Sequence, residues 1–175
     1  MRKLLFIAAA TLFTGAVAFG QSNTGNTTLN LTVAHEASIS VDSSDNFSTT
    51  GSVFNPYTAT TNFTYKIRTT KATGTGTITT EVTTDFSPTG GPSVTTPPTA
   101  GDALTYSCTV ASPGTGCSGT QTASTSSATS VATFGADAHS TAAGNSGSVA
   151  WSLTNDPVYG TGAYTATVTF TISAT

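Results

Sequence analysis

Apolar and polar residues alternate most regularly between Gly160 and Ile172. The apolar positions fall on every second residue and threonines fill the positions between them, the apolar set being Tyr164, Ala166, Val168, Phe170 and Ile172. Because successive side chains of a β-strand point to opposite faces, this pattern predicts a strand with one apolar face and one hydroxyl-bearing face. Such a strand needs a second sheet to cover its apolar face.

A second alternating run lies near the start of the chain. Its apolar residues occupy odd positions, interrupted at His35, and are Leu29, Leu31, Val33, Ala37, Ile39 and Val41. The run is much longer than the usual strand of about five or six residues. Two interpretations remain open: the run breaks near Ala34–Glu36 and changes sheets, or its first half is a separate arm.

Short alternating segments follow along the rest of the chain, separated by residues typical of turns. The predicted strands are Asn62–Arg68, Thr75–Phe86, Leu104–Val110, Val131–Phe134 and Ser148–Thr154, with a shorter candidate at Phe47–Phe54. Ser87–Asp102 and Gly135–Gly147 are predicted to be surface loops. The pattern predicts an all-β fold, a single antiparallel β-sandwich of Ig-like or pilin-like type with about seven to nine strands.

The first twenty residues have the composition of a secretory signal peptide. Arg2 and Lys3 precede an apolar run that ends in small residues, and the run is too short for a membrane-spanning helix. We expect residues 1–20 to be removed, residues 21–28 to be flexible and residues 29–175 to form the domain. The exported protein would pass through the periplasm to the cell surface or medium, with no membrane span.

Charge is scarce in this chain. Charged residues make up 7% of the sequence, against about a quarter in an average soluble domain. Removal of the leader leaves three cations against eight acids, a net charge of −5. That balance argues against nucleic acid as a partner.

Cys108 and Cys117 are the two cysteines of the chain, and turn-forming residues separate them. In an exported protein this spacing predicts a disulfide that closes a short loop. The loop-entropy model assigns it about 2–3 kcal/mol of stabilisation. The two histidines, His35 and His139, lack ligand spacing to the cysteines, so we expect no zinc site and no cofactor.

The sequence gives little support to a catalytic function. The segment ending at His35 resembles the histidine segment of chymotrypsin-like proteases, and Gly144–Ser148 resembles their nucleophile segment, with Ser146 as nucleophile. Asp85 or Asp102 would complete a triad. His35, however, interrupts an alternating strand very early in the domain. A secreted serine hydrolase therefore remains a remote alternative to a non-enzymatic protein.

Both ends of the domain resemble bacterial pilin-like β-sandwiches, including fimbrial subunits and the spore coat U family. The ending A-Y-T-A-T-V-T-F-T-I is similar to their final strand, and Leu29, Leu31 and Val33 are similar to their N-terminal arm. The resemblance implies that the arm is donated to a neighbouring subunit, where it pairs with the acceptor strand residues Tyr164, Val168, Phe170 and Ile172. A lesser likeness joins Trp151–Pro157 to the W-x-L motif of Gram-positive cell-wall-binding domains.

The sequence thus predicts a secreted structural subunit of an extracellular fibre or surface matrix. Its expected partners are further copies of itself or other surface proteins. The alternative is a monomeric adhesin or carbohydrate-binding module that binds glycans. In that case loops Ser87–Asp102 and Gly135–Gly147 would form the binding edge, and Tyr159 would be a ligand contact.

Overall fold

The structure is a computed structural model that describes residues 24–51 and 53–175. The predicted signal peptide, residues 1–20, and the first residues of the predicted flexible segment lie outside the described residues. The chain divides into two units, Met1–Thr32 and Val33–Thr175. The described part of the first unit, residues 24–32, contains no helix or strand, and its side chains are exposed.

The described residues of the second unit form nine β-strands. They are β1 (Glu36–Val41), β2 (Tyr57–Arg68), β3 (Gly76–Ser87), β4 (Leu104–Val110), β5 (Thr115–Gly116), β6 (Gln121–Thr122), β7 (Thr129–Phe134), β8 (Asn145–Leu153) and β9 (Thr165–Ala174). The described residues include no helix that could cross a membrane. The alternation of Thr with Val, Ile, Phe and Tyr accounts for the strands, since these residues fit a half-buried pleated surface.

Two antiparallel sheets form from these strands. The five-stranded sheet has the order β1-β2-β8-β4-β6, and the four-stranded sheet has the order β5-β7-β3-β9. A disulfide joins Cys108 to Cys117. The prediction of an all-β sandwich with one disulfide is therefore confirmed. The strand number also agrees with the predicted range.

The sandwich has two distinct ends. At the arm end, Glu36 of β1 lies opposite Arg68 of β2, and the Thr70 amide donates to the carbonyl of Thr175. Loops 69–75 and 135–144 close this end. At the loop end, Ser87 lies opposite Thr165, and loops 88–103 and 154–164 connect the strands.

Inward-facing apolar side chains of both sheets form one continuous core. Its buried residues are Phe63, Tyr65, Ile67, Ile78, Val82, Leu104, Tyr106, Ala123, Val131, Ala132, Phe134, Ala138, Val149, Trp151 and Leu153. Aromatic pairs connect the sheets, with ring centroids 5.2 Å apart for Tyr65 and Phe134. The inward positions that the alternation predicts in β2 and β8 are confirmed.

The polar atoms of the buried aromatic residues have hydrogen-bond partners. The Tyr106 hydroxyl donates to Thr129 Oγ1 at 2.8 Å. The Trp151 indole donates to Thr61 Oγ1, also at 2.8 Å, and the Thr61 hydroxyl donates in turn to the Asp45 carboxylate. Burying a polar atom without a hydrogen-bond partner costs free energy. These bonds therefore favour the observed arrangement of the aromatic side chains in the core.

One buried hydroxyl differs from these. Thr80 is 1% exposed, and its Oγ1 has no hydrogen-bond partner within the described part of the chain. Replacing Thr80 with Val removes the unpaired hydroxyl at nearly constant shape, so the free energy of unfolding should rise by about 1 kcal/mol. Chemical denaturation would measure the change. Thr61→Val is the control and should destabilise, because its hydroxyl serves both Trp151 and Asp45.

One candidate strand at the start of the domain was wrong, and one alternating run is interrupted. The run Leu29–Val41 breaks near Ala34–Glu36, as the sequence allowed, and is a strand only from Glu36 onward. Phe47–Phe54 is not a strand, and the chain makes only an isolated bridge between Ser48 and Thr58. The physical reason is pairing: β1 lies opposite the last residues of β2, from Phe63 to Arg68, and β2 ends at Arg68.

The last strand begins at Thr165, one residue after Tyr164, which is the first apolar residue of its alternating pattern. Tyr164 therefore precedes the strand. Its hydroxyl donates to the Gly160 carbonyl at 2.8 Å, and its ring lies so close to Gly91 that a β-carbon there would be 2.3 Å from it. The tyrosine ring thus holds the loop before β9 against loop 88–103 and does not belong to the strand face.

Candidate assembly surface

β9 is an edge strand of ten residues with one free side. Within the described residues it pairs only with β3. Between Thr165 and Ala174 the sequence has no charged residue, proline or glycine. Natural edge strands usually carry such residues, or stay short, to prevent pairing with another chain. The free side of β9 therefore presents unprotected main-chain N–H and C=O groups.

The apolar face of β9 is only half covered. β1 and β9 lie against each other across the sandwich, at the same lateral edge of the two sheets. We call their inward-facing apolar side chains the seam; they are Ala37, Ile39 and Val41 of β1 and Val168, Phe170, Ile172 and Ala174 of β9. All seven are half-buried, whereas the inward residues of β2 from Phe63 on are buried.

Phe63 supports the seam from inside the core. Its ring centroid lies 6.0 Å from that of Phe170 on β9 and 6.5 Å from that of Tyr65 on β2. The same ring covers Gly147 on β8, where a β-carbon would lie 2.3 Å from it. Phe170 is therefore packed on its inner side, while its outer side is open to another apolar side chain.

The opposite lateral edge of the sandwich is closed. There the edge strands β5 and β6 have two residues each. Cys108 of β4 belongs to one sheet, and Cys117 directly follows β5 of the other, so their disulfide joins the sheets. Such short, cross-linked edges offer little main chain for pairing. The seam is consequently the edge suited to association.

The residues predicted to form a donated arm are exposed. Leu29 is 90% exposed, Leu31 86% and Val33 58%. The following residues are fixed at the arm end, where Arg68 Nε donates to the Ala34 carbonyl at 2.7 Å and pairs with Glu36 at 3.2 Å. That exposed ion pair contributes well under about 1 kcal/mol, so the hydrogen bond and β1 pairing hold the start of the domain.

The predicted triad residues are not brought together. His35 directly precedes β1 at the arm end, and Ser146 lies on β8 opposite Thr64. Asp85 and Asp102 lie at the loop end, near the last residues of β3 and the first of β4. The His35 and Ser146 side chains therefore have neither aspartate beside them, and these residues do not form the predicted triad.

Asp85 organises loop 88–103. Its carboxylate accepts hydrogen bonds from the amides of Phe86, Val94 and Thr95 and from the hydroxyl of Ser93. Burial raises the pKa of this carboxyl, but the four hydrogen bonds outweigh burial and lower the pKa to about 2. The charged carboxylate thus stabilises the conformation of loop 88–103 at the loop end.

The two loops predicted to form one binding edge lie at opposite ends of the sandwich. Loop 88–103 is at the loop end, and loop 135–144 is at the arm end, where the main chains of Arg68 and His139 form a bridge. The expectation of a shared edge is therefore wrong, because the strands between the loops span the length of the sandwich.

Tyr159, the predicted ligand contact, is half-buried. Its hydroxyl donates to Asp102 Oδ2 at 2.9 Å. Burial raises the pKa of this phenol well above its usual value, and the negative charges of Asp102 and Asp156 raise it further. The ring therefore packs the loop end, and a ligand contact through Tyr159 stays a prediction.

Shallow depressions occur on the outer face of the five-stranded sheet. Two of them, about 260 Å³ and 230 Å³ in volume, share Asn62, Ser146 and Gly147 in their lining. Both are below the roughly 300–1,000 Å³ of typical ligand pockets. The long exposed edge of β9 is therefore a better candidate for an interaction surface than either depression.

Comparisons with protein-family models, curated proteins and solved structures give no significant match for this chain. The candidate surface accordingly depends on geometry alone. Sequence patterning identified Val168, Phe170 and Ile172 but overlooked Phe63 as their inner support. The alternation of Asn62–Arg68 marked Phe63 as inward-facing, yet only the packing of the two sheets places it against β9.

Proposed function

We propose that this protein is a non-enzymatic, exported structural subunit of an extracellular fibre or surface matrix. Subunits would be joined by strand donation, in which Leu29, Leu31 and Val33 of one copy pair with β9 of the next. The observation that carries the proposal is the free, uncharged edge of β9 beside a half-covered seam. An exposed arm with matching alternation is present in the same chain.

The arm and β9 fit each other because apolar side chains occupy every second residue in both. Strand addition supplies main-chain hydrogen bonds along the edge and places alternate side chains in the apolar seam. At about 3.3 Å per residue, the arm from Leu29 to Val33 spans roughly 13 Å between its ends, well within the ten-residue edge of β9. Each arm side chain that becomes buried contributes about 1.5–3 kcal/mol before ordering costs.

Export is supported by two independent features. The N-terminal residues have the pattern of a signal peptide. The Cys108–Cys117 disulfide is consistent with an oxidising compartment outside the cytosol. A low content of charged residues and a hydroxyl-rich surface would suit a protein that packs densely against further copies of itself.

Replacing Leu31 with Asp tests strand donation. The charged side chain cannot enter an apolar seam without a large desolvation cost, so the critical concentration for fibre formation should rise at least about a hundredfold. Negative-stain electron microscopy and analytical ultracentrifugation of the purified protein would measure it. Thr32→Asp is the matched control, since Thr32 lies on the other face of the arm.

Equal assembly of the Leu31→Asp and Thr32→Asp variants would contradict donation by this arm. A wild-type protein that remains monomeric at high concentration would contradict the proposed function as a whole. Because the arm precedes the sandwich, both variants should keep the thermal unfolding midpoint of the wild type, which circular dichroism would verify.

A further inference from the structure

The exposed apolar side chains of this protein fall into two groups. Six large apolar residues are exposed within the described part of the chain, and three of them belong to the arm. The other three, Val53, Phe54 and Val158, lie at the loop end, where β2 begins and β8 ends. The proposed strand donation uses the first group and leaves the second without a function.

Phe54 is presented to solvent by the loop that precedes β2. The main chains of Ser48 and Thr58 pair across the base of this loop, and the Asn55 side chain donates to the Thr50 carbonyl at 2.7 Å. Phe54 has a φ of 61°, in the left-handed region that a bulky residue rarely adopts. Its side chain is nevertheless 55% exposed, so no burial in the core compensates for this conformation.

The loops of this end are joined to one another. The Gly160 amide donates to the Gly90 carbonyl at 2.8 Å, which links loop 154–164 to loop 88–103, and the Tyr159 hydroxyl donates to Asp102. Tyr57, the first residue of β2, adds to the raised pKa of Tyr159 after burial and the aspartates, so it lies close to that phenol. Loops that are already ordered lose little conformational entropy when a partner binds.

The loop end carries acids and, among the described residues, no base. Asp85, Asp102 and Asp156 lie there, whereas every described lysine, arginine and histidine lies at the arm end. Hydrogen bonds from the Thr99 hydroxyl and the Val158 amide lower the pKa of the Asp156 carboxyl. Carboxylates therefore surround the exposed apolar side chains with negative charge at neutral pH.

This combination restricts the chemistry of a partner. A carboxylate only accepts hydrogen bonds, whereas lysine and arginine side chains only donate them. An anionic lipid surface is a poor partner because it repels the acids of this end. The arm of another copy is unsuitable as well, because residues 24–34 contain no lysine or arginine.

We infer that the loop end is a docking surface for a basic, partly apolar segment of another protein. Asp102 and Asp156 bind lysine or arginine side chains of that segment, and Phe54 and Val158 pack against its apolar side chains. An exposed apolar patch with a polar rim is typical of such surfaces. The inference does not depend on strand donation, because neither the arm nor β9 takes part. It gives a subunit of the proposed matrix a means of holding a second kind of protein.

A fluorescent peptide in which arginine alternates with proline, tryptophan and leucine is a suitable probe, since proline prevents the peptide from adding to the edge of β9. Fluorescence anisotropy with the purified protein should show saturable binding that weakens as salt is added. Replacing arginine by glutamate in the peptide should abolish binding, and replacing tryptophan and leucine by serine should weaken it. The Leu31→Asp variant should bind the probe like wild type, so a failure of strand donation is distinguishable from a failure of docking.

Two pairs of substitutions locate the surface. Asp102→Asn with Asp156→Asn, and separately Phe54→Ser with Val158→Ser, should each lower the affinity for the probe at least about tenfold. Circular dichroism would verify that both variants are folded. Glu36→Gln with Glu81→Gln removes the same number of charges away from the loop end and should leave the affinity unchanged.

Three results would overturn the inference. The first is no saturable binding of the arginine peptide to the wild-type protein. The second is equal affinity of the folded loop-end variants and the wild type for that peptide. The third is binding of a glycan in place of the peptide, lost on Phe54→Ser with Val158→Ser, which would assign the loop end to a carbohydrate.

Discussion

Replacing Phe63 with Ala is expected to lower the free energy of unfolding by about 3–5 kcal/mol. That is a large part of the roughly 5–15 kcal/mol that holds a typical domain together. The ring is 3% exposed and contacts both sheets, since it lies over Gly147 on β8 and against Phe170 on β9. Its loss leaves a cavity that Gly147, which has no side chain, cannot fill.

The same substitution should also weaken assembly, because Phe63 is the inner support of the seam. Guanidinium denaturation would measure stability, and Thr64→Ala is the matched control. Thr64 is the next residue of β2 and points to solvent, so its replacement should change stability by no more than about 0.5 kcal/mol. Similar unfolding midpoints for the two variants would show that Phe63 does not join the sheets.

The local pattern of this chain predicts its strands well. Alternation identified the inward faces of β2 and β8 and the face of β9, because a period of two has no other common structural origin. The disulfide followed from two cysteines separated by turn residues. These features depend on residues that are close in the sequence, and the structure agrees with them.

The proposed assembly surface depends on the order of the strands in the two sheets. The alternation of apolar and polar residues does not determine that order. Nothing in Glu36–Val41 or Thr165–Ala174 alone indicates that these strands lie at the same lateral edge. The position of Tyr164 outside β9 has a similar cause, because Tyr164 alternates correctly but packs on Gly91, a residue of a distant loop.

Appending a second copy of residues 24–34 after Thr175, through a short turn containing glycine, is expected to block fibre formation and raise thermal stability. Thr175 lies at the arm end, so the added segment would return antiparallel along the free side of β9. A short linker gives an effective concentration on the order of millimolar, so an arm from another copy at micromolar concentration would be outcompeted about a thousandfold.

The gain in stability comes from covering the seam. Burial of the appended Leu29, Leu31 and Val33 side chains, less the entropy of ordering the segment, should leave about 2 kcal/mol, or roughly 4–8 °C in the unfolding midpoint. Sedimentation velocity and differential scanning calorimetry would measure both effects. An otherwise identical extension that carries Leu31→Asp in the appended copy should stay assembly-competent and gain no stability, because a buried aspartate would cancel the apolar contribution. Fibres of wild-type length from both extended proteins would show that the acceptor is not the free edge of β9. The tethered segment has the right alternation for that edge and should block it.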